Sequence, residues 1–316
     1  MNQNISLTEE SMKYLDELLQ NPDKYQVKIS EVNDATIIDC GIESEGSIGA
    51  GLLFTKISLG GITKVNLDFP GDEKNPLMTM RVETSHPVLA TIGCQAASWN
   101  INKDDFFGMA CGPGRAVAQK PSKSYKLINY KDEAKQAVLC IEADKLPTDK
   151  VIDYLAEKCK VAKNDLTILM IKTNCIVEYL QMAARAIELG VFKLVEQLGY
   201  PQERILHAVG TGVVAPMTND IDLSNDRVNN ALIYGTRLYL IINSAETDNL
   251  NELVKQIPSA SSPSFGRKFL ELFTEANGDF SKFDLNLLAP SEVILNDMRT
   301  GKIYKAGKMD LSFIIE

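Results

Sequence analysis

Arg185 and Glu188 stand three residues apart in QMAARAIELG, residues 181–190. On a helix that spacing puts both side chains on one face, where both can reach a single water or substrate atom. Met182, Ala183, Ala184, Ala186, Ile187 and Leu189 surround the pair, so the charges are expected to be partly withdrawn from water. Burial strengthens a carboxyl's hold on its proton and a neighbouring guanidinium weakens it, a balance suited to proton exchange. The same spacing also describes a surface ion pair worth about 0.2–0.5 kcal/mol.

Two further segments carry candidate binding groups. HPVLATIGCQAASWNI (86–101) reads as a helix with Pro87 in its first turn and holds Gln95, Ser98 and the chain's one tryptophan, Trp99. An indole can stack on a planar heterocycle and a carboxamide can read its hydrogen-bonding edge; the plainer reading makes Trp99 a core anchor and Gln95 a backbone partner. Gly112, Pro113, Gly114 and Arg115, in the run GPGRA (112–116), offer backbone amides and a guanidinium that suit an anionic group if a helix follows. The run is no phosphate loop of the Walker type, because no Lys-Ser or Lys-Thr follows, and its glycines can equally serve a strained turn. Asp39, Glu43 and Glu45 are secondary acid–base candidates. A GxSxG elbow is absent, and neither histidine, His86 or His207, has a nucleophile near it in sequence, so covalent catalysis has no support.

Composition narrows the classes. A chain of 316 residues, 45% hydrophobic and 24% charged, is an ordinary globular protein of about two domains. A formal net charge of −9 argues against nucleic acid as a partner but leaves room for an anionic small molecule in a locally basic pocket. The six cysteines include no CxxC pair and read as reduced thiols; with two histidines in unrelated contexts, no metal site is expected. The first residues lack the basic and apolar regions of a signal peptide, and no apolar run approaches the roughly 18 residues of a membrane span, so a cytoplasmic location is expected.

The positioning elements alternate. Ser6 and Glu9 form a capping box before a helix that ends near Asn21-Pro22. Short strands are expected at 25–29 and 35–40, followed by a glycine-dense stretch over 41–61. Further strands follow at 63–69 and 77–84 about a Pro70-Gly71 turn. Strand 137–143, helix 149–159, strand 166–172 and a long helix over about 174–198 come next. A glycine turn at 210–212, a strand over 231–242, helices near 246–256 and 264–276 and a strand at 293–295 complete the reading. The fold class is α+β: two mixed α/β domains with a pocket between them, divided as 1–172 and 173–316, the C-terminal strand being free to return to the first domain.

ATIIDCGIESEGSIGAGLLFTKISLGGITKVNL (35–67), the 86–99 stretch, GPGRA, MAARAIE (182–188) and ILNDMRTGKIYKAGKMD (294–310) together resemble methenyltetrahydromethanopterin cyclohydrolases over nearly the whole chain. The resemblance implies reversible hydrolysis of 5,10-methenyltetrahydromethanopterin to the 5-formyl compound in one-carbon metabolism and methanogenesis, with no metal or redox cofactor. It further implies a homotrimer of two-domain subunits, and that Arg185 and Glu188 act on the catalytic water. The pterin's phosphate-bearing tail makes GPGRA and Lys120, Lys123 and Lys126 candidate contacts. The chain departs from the family at Gly114, where alanine is usual, and at Ser98, where glycine usually precedes the tryptophan; GTGVVAPMTND (210–220) matches less closely. The competing readings are a non-enzymatic protein that binds an anionic pterin-like metabolite, a phosphoryl-transfer enzyme, and a cyclohydrolase for another tetrahydropterin.

Overall fold

The computed structural model describes residues 4–69, 76–278 and 282–315; the expected Pro70-Gly71 turn lies outside them. Among the described residues the first strands are β1 (Lys28–Val32), β2 (Ala35–Asp39), β3 (Lys64–Asp68), β4 (Thr79–Thr84), β5 (Trp99–Lys103) and β6 (Phe106–Cys111). They are followed by β7 (Ala137–Glu142), β8 (Leu166–Ile171), β9 (Ile205–Val213), β10 (Thr236–Ile242), β11 (Glu292–Asp297) and β12 (Lys302–Gly307). Helices and two mixed six-stranded sheets make the fold α+β. One compact unit comprises Met1–Lys64 and Val88–Gln181, the other Val65–Pro87 and Met182–Glu316. A single cut near residue 172 does not describe this division, because β4 pairs with β9 and carries its segment into the second unit. The C-terminal strands β11 and β12 stay with β10 in that unit.

The sheet of the first unit runs β1-β2-β8-β7-β6-β5, with β2, β8 and β7 mutually parallel. These three strands are apolar at nearly every position, as a sheet covered on both faces requires. Ile37, Leu139, Ile141, Ile168 and Met170 pack on one face with Val151, Ile152 and Leu155 of the Asp149–Cys159 helix. Ile38, Val138, Cys140, Leu169 and Ile171 face Leu15 and Leu18 of the Leu7–Gln20 helix and Phe54 and Ile57 of the Ile48–Ser58 helix. Each such side chain contributes roughly 1.5–3 kcal/mol on burial. Ser6 caps the opening helix as expected, its Oγ accepting from the Glu9 N–H at 3.2 Å.

The Ile48–Ser58 helix lies inside the glycine-dense stretch, between turns in which Gly46, Gly60 and Gly61 take positive φ. Ser47 caps it, and Gly51 lets it approach the next layer, since a Cβ there would stand 2.5 Å from Leu180 Cδ1. The expected 86–100 helix is a single α-turn, Pro87–Ala90, and a π-turn, Thr91–Gln95; Trp99 begins strand β5 instead.

The second sheet runs β12-β11-β10-β9-β4-β3, antiparallel at β12/β11, β10/β9 and β9/β4 and parallel at β11/β10. Two expectations are corrected here. The glycines at 210–212 lie within β9 and make no turn. The 231–242 run divides into the end of the Asp220-capped helix Ile221–Tyr234 and strand β10; Ala231, Leu232 and Ile233 are its buried last turn, whose apolar side chains mimic a strand. Helices Leu250–Gln256 and Phe269–Glu275 occupy parts of the expected spans.

Asp39, at the end of β2, is 1% exposed and holds the following loop. Its Oδ1 accepts from the Gly41 and Ile42 N–H at 2.9 and 2.6 Å, and its Oδ2 from those of Glu43 and Ser44 at 2.8 and 2.9 Å. Burial pushes the carboxyl's pKa up, but the four backbone donors outweigh it and hold it below the ordinary value. The stability this gives is therefore present above the ordinary carboxylate range and is lost as pH falls through it, below about pH 4. Asp39→Asn sets an amide donor against two of the loop's donors and is expected to cost about 1–3 kcal/mol at pH 7 in denaturant unfolding. That deficit should narrow on acidification, and a constant gap between the two proteins from pH 7 to pH 3 would contradict the assignment.

Candidate active site

The span expected as one helix from 174 to 198 is interrupted. Ile176–Ala183 and Ala186–Phe192 are separate helices, and Lys193–Gln197 is a π-turn. Arg185 caps the second helix with φ −91° and ψ 1°, outside regular helical geometry. Its N–H donates to the Met182 carbonyl at 3.2 Å, and its own carbonyl accepts from the Leu189 N–H at 3.0 Å. Glu188 sits in the first turn, where the helix's positive end favours a carboxylate.

The guanidinium and carboxylate meet despite the break: Arg185 Nη1 donates to Glu188 Oε2 at 3.2 Å. Both residues are 8% exposed. Withdrawing two charges from water costs several kcal/mol per ion, and a well-packed apolar pair of similar volume is often as stable or more so. Side by side, the carboxylate offers an acceptor and the guanidinium a donor, an arrangement chemically able to hold one water in a chosen orientation.

The other sequence candidates lie in the first unit. Gln95 is fully buried at the end of the π-turn. Trp99, 5% exposed, packs in the apolar cluster with Ile101, Phe106 and Leu139, its ring 6.3 Å from that of Tyr154. Asp39 is saturated by the loop it braces, and Glu43 and Glu45 are exposed.

The GPGRA turn is turned inward. Gly112, at φ +93°, donates its N–H to the Cys94 carbonyl at 2.9 Å. Pro113 precedes a helix of five residues, Gly114–Ala118. Gly114 has no space for a side chain, since a Cβ would stand 2.9 Å from both the Val138 carbonyl oxygen and Leu139 Cδ2. Arg115 is fully buried. Its Nε donates to the Lys120 carbonyl at 3.0 Å, Nη1 to the Ile92 and Cys94 carbonyls at 3.3 and 3.0 Å, and Nη2 to Ser98 Oγ at 2.7 Å. A π-turn leaves its last carbonyls needing partners, and Arg115, the Tyr125 hydroxyl and the Gly112 N–H supply them. No local sequence pattern links Ser98 to Arg115, 17 residues away. Lys123 and Lys126 are exposed and Lys120 is half-buried.

All six cysteines are buried free thiols. Burial pushes Cys159 and Cys175 up to about 12 and raises Cys40, Cys94 and Cys140 as well. Among the described residues no group of three or more His, Cys, Asp or Glu side chains could hold a metal ion, and no helix is long and apolar enough to cross a membrane.

Arg115→Lys keeps the charge but cannot serve this set of acceptors. It is expected to lower stability by at least about 2 kcal/mol in denaturant unfolding. Wild-type stability combined with weakened ligand binding would instead make Arg115 an anion contact.

Comparison with known proteins places the whole chain. The family model described as Cyclohydrolase (MCH) matches residues 6–316. The chain is 37% identical over 306 residues to the methenyltetrahydromethanopterin cyclohydrolase of Methanothermobacter thermautotrophicus, covering 96% of each. It is 38% identical over 307 residues to the enzyme of that name from Methanococcus aeolicus, covering 96% of this chain and 95% of the relative. The one from Methanocaldococcus jannaschii is 37% identical over 309 residues, covering 97% and 96%. With matches that run nearly end to end and take in the Arg185–Glu188 segment, the chain belongs to the methenyltetrahydromethanopterin cyclohydrolase family.

Proposed function

We propose that this chain reversibly hydrolyses 5,10-methenyltetrahydromethanopterin to 5-formyltetrahydromethanopterin and a proton, with Glu188 and Arg185 as catalytic residues. Family membership supports the reaction, and the observation that carries the residue assignment is the desolvated ion pair held 3.2 Å apart. The substrate's methenyl carbon, bonded to two nitrogens in an amidinium-like cation, is already electrophilic. It requires a placed water more than a nucleophilic side chain.

In this mechanism Glu188 accepts a proton as water attacks the carbon, while Arg185 orients the water and steadies the developing hydroxyl oxygen. The carbinolamine then opens: the bond from carbon to N10 breaks, Glu188 returns its proton to N10, and the hydroxyl proton leaves as the formyl carbonyl forms. One water is consumed and one proton released, and the same groups serve the reverse direction. No step requires a resident metal or redox cofactor. Gln95, Trp99 and the Gly112–Arg115 turn remain proposed contributors to substrate binding, Arg115 through the turn it braces. The reading also carries a homotrimer in the cytoplasm.

Loss of methenyl-pterin absorbance with purified protein tests the reaction, run with tetrahydromethanopterin and tetrahydrofolate derivatives and with chelator present and absent. Saturable binding with no turnover of either would support a non-enzymatic carrier, and turnover of the folate alone a different pterin specificity. Glu188→Gln is expected to keep KM within about tenfold while kcat falls at least about 100-fold; near-normal kcat would remove Glu188 from the mechanism. Arg185→Lys keeps a charge and loses the planar fork, so kcat at the wild-type level would leave only a charge role for Arg185.

A further inference from the structure

The glycines of the GTG run belong to no turn, yet both sit directly beneath the catalytic segment. Strand β9 packs against the Ala186–Phe192 helix, and Gly210 and Gly212, two residues apart, face the same side of the sheet. A Cβ on Gly212 would stand 2.2 Å from the Ala183 carbonyl oxygen. One on Gly210 would stand 2.7 Å from Ile187 Cγ1, 3.1 Å from Ala186 Cβ and 3.1 Å from the Ile187 backbone nitrogen. Between these two contacts lie Ala184 and Arg185, the residues where the helix is interrupted.

We propose that Gly210 and Gly212 are positioning residues for the Arg185–Glu188 pair: by omitting side chains they let the backbone of residues 183–187 lie on the strand, and this seat fixes the helix break that aims Arg185. The inference rests on the cyclohydrolase reading and extends it to residues that touch no substrate. The physical link is short. Real Cβ atoms essentially never come within 3.0 Å of another heavy atom, so a methyl group at 212 must displace the Ala183 carbonyl by the better part of an ångström. Arg185 donates its N–H to the Met182 carbonyl, one peptide unit away, so that displacement enters the cap directly. At 210 the Ile187 side chain can yield by rotation, leaving the 3.1 Å contacts with Ala186 and the Ile187 nitrogen to absorb less. The two sites thus form a graded pair, with 212 the more severe.

The test compares Gly210→Ala and Gly212→Ala with Gly108→Ala, a control on strand β6 in the other unit. There a Cβ would meet Ile141 Cγ2 at 2.9 Å, Phe106 Cε1 at 3.0 Å and the Glu142 carbonyl oxygen at 3.1 Å, so stability falls through crowding within that unit, away from residues 183–188. With each protein kept below its own unfolding transition, Gly210→Ala is expected to hold KM within about threefold while kcat drops about tenfold or more, and Gly212→Ala to drop it further. Gly108→Ala should lose thermal stability and keep its kcat. Combining Gly210→Ala with Arg185→Lys should lower kcat by clearly less than the product of the single effects, because both act through one guanidinium. If Gly212→Ala fails to fold, Gly210→Ala and its double variant still decide the matter. A folded Gly210→Ala with the kcat of the control, or strictly multiplicative effects in the double variant, would overturn the proposal. Absence of turnover in the unsubstituted chain would sink the cyclohydrolase reading instead.

Discussion

The proposed chemistry depends on the contact between Arg185 and Glu188 in the second unit. Two opposite charges, each 8% exposed, meet at 3.2 Å across the first turn of a helix. An uninterrupted helix would also have made them neighbours at three-residue spacing. The interruption changes the setting of the pair: Arg185 becomes a cap with its own backbone geometry, and Glu188 falls at the end of the helix whose dipole favours its charge. In the proposed reaction that burial serves the pair, since a donor and an acceptor withdrawn from water act more strongly on a third group than the same two in water.

The first unit uses buried charge in another way. Asp39 and Arg115 are almost wholly covered, and each is surrounded by backbone partners of the opposite hydrogen-bonding sense. Four amides converge on the carboxylate, and three carbonyls and one hydroxyl on the guanidinium. These groups hold chain segments in place: Asp39 the turn after β2, and Arg115 the π-turn ending at Gln95 together with the turn at Lys120. An arginine in a glycine-rich turn and an aspartate beside a glycine run have the same appearance in sequence whether they meet a ligand or a peptide group. What distinguishes them is where their partners lie, and for Arg115 those partners are up to 23 residues away.

Much of the architecture was legible where one local signal dominated. Ala137–Glu142 and Leu166–Ile171 are short continuous apolar runs between polar boundaries, and Asp149–Cys159 presents one apolar stripe, so period and length agree with the observed elements. The segment from 174 to 198 defeated that logic because Ala183, Ala184 and Ala186 are all strong helix formers, and nothing local marks the break beside them. Glycine had two meanings. Within 41–61 turns and a close approach both occur, Gly46, Gly60 and Gly61 taking positive φ on either side of the helix that Gly51 lets pack closely, whereas at 210–212 a strand runs and the glycines there answer to the neighbouring layer. Of the site, the residue types and spacing of the Arg185–Glu188 pair were readable, whereas its cap geometry and the inward course of Arg115 depend on tertiary partners.

The chemistry gives that tertiary control its weight. In the proposed reaction the cationic amidine carbon needs no activation by a covalent adduct, so the protein's part of the barrier is chiefly orientational: one water must approach along one line with its proton directed at one carboxylate. Orientation is lost by small displacements that stability hardly registers, since a shifted arginine can keep its ion pair while its guanidinium plane turns. The rigid support beneath such a pair is then as much a part of the reaction as the charges it carries. A regular helix fixes side-chain direction only through its own period, whereas a broken helix seated on a strand fixes it through backbone contacts on both sides of the break. In the proposed arrangement the second solution ties the direction of Arg185 to strand β9 and so to the sheet.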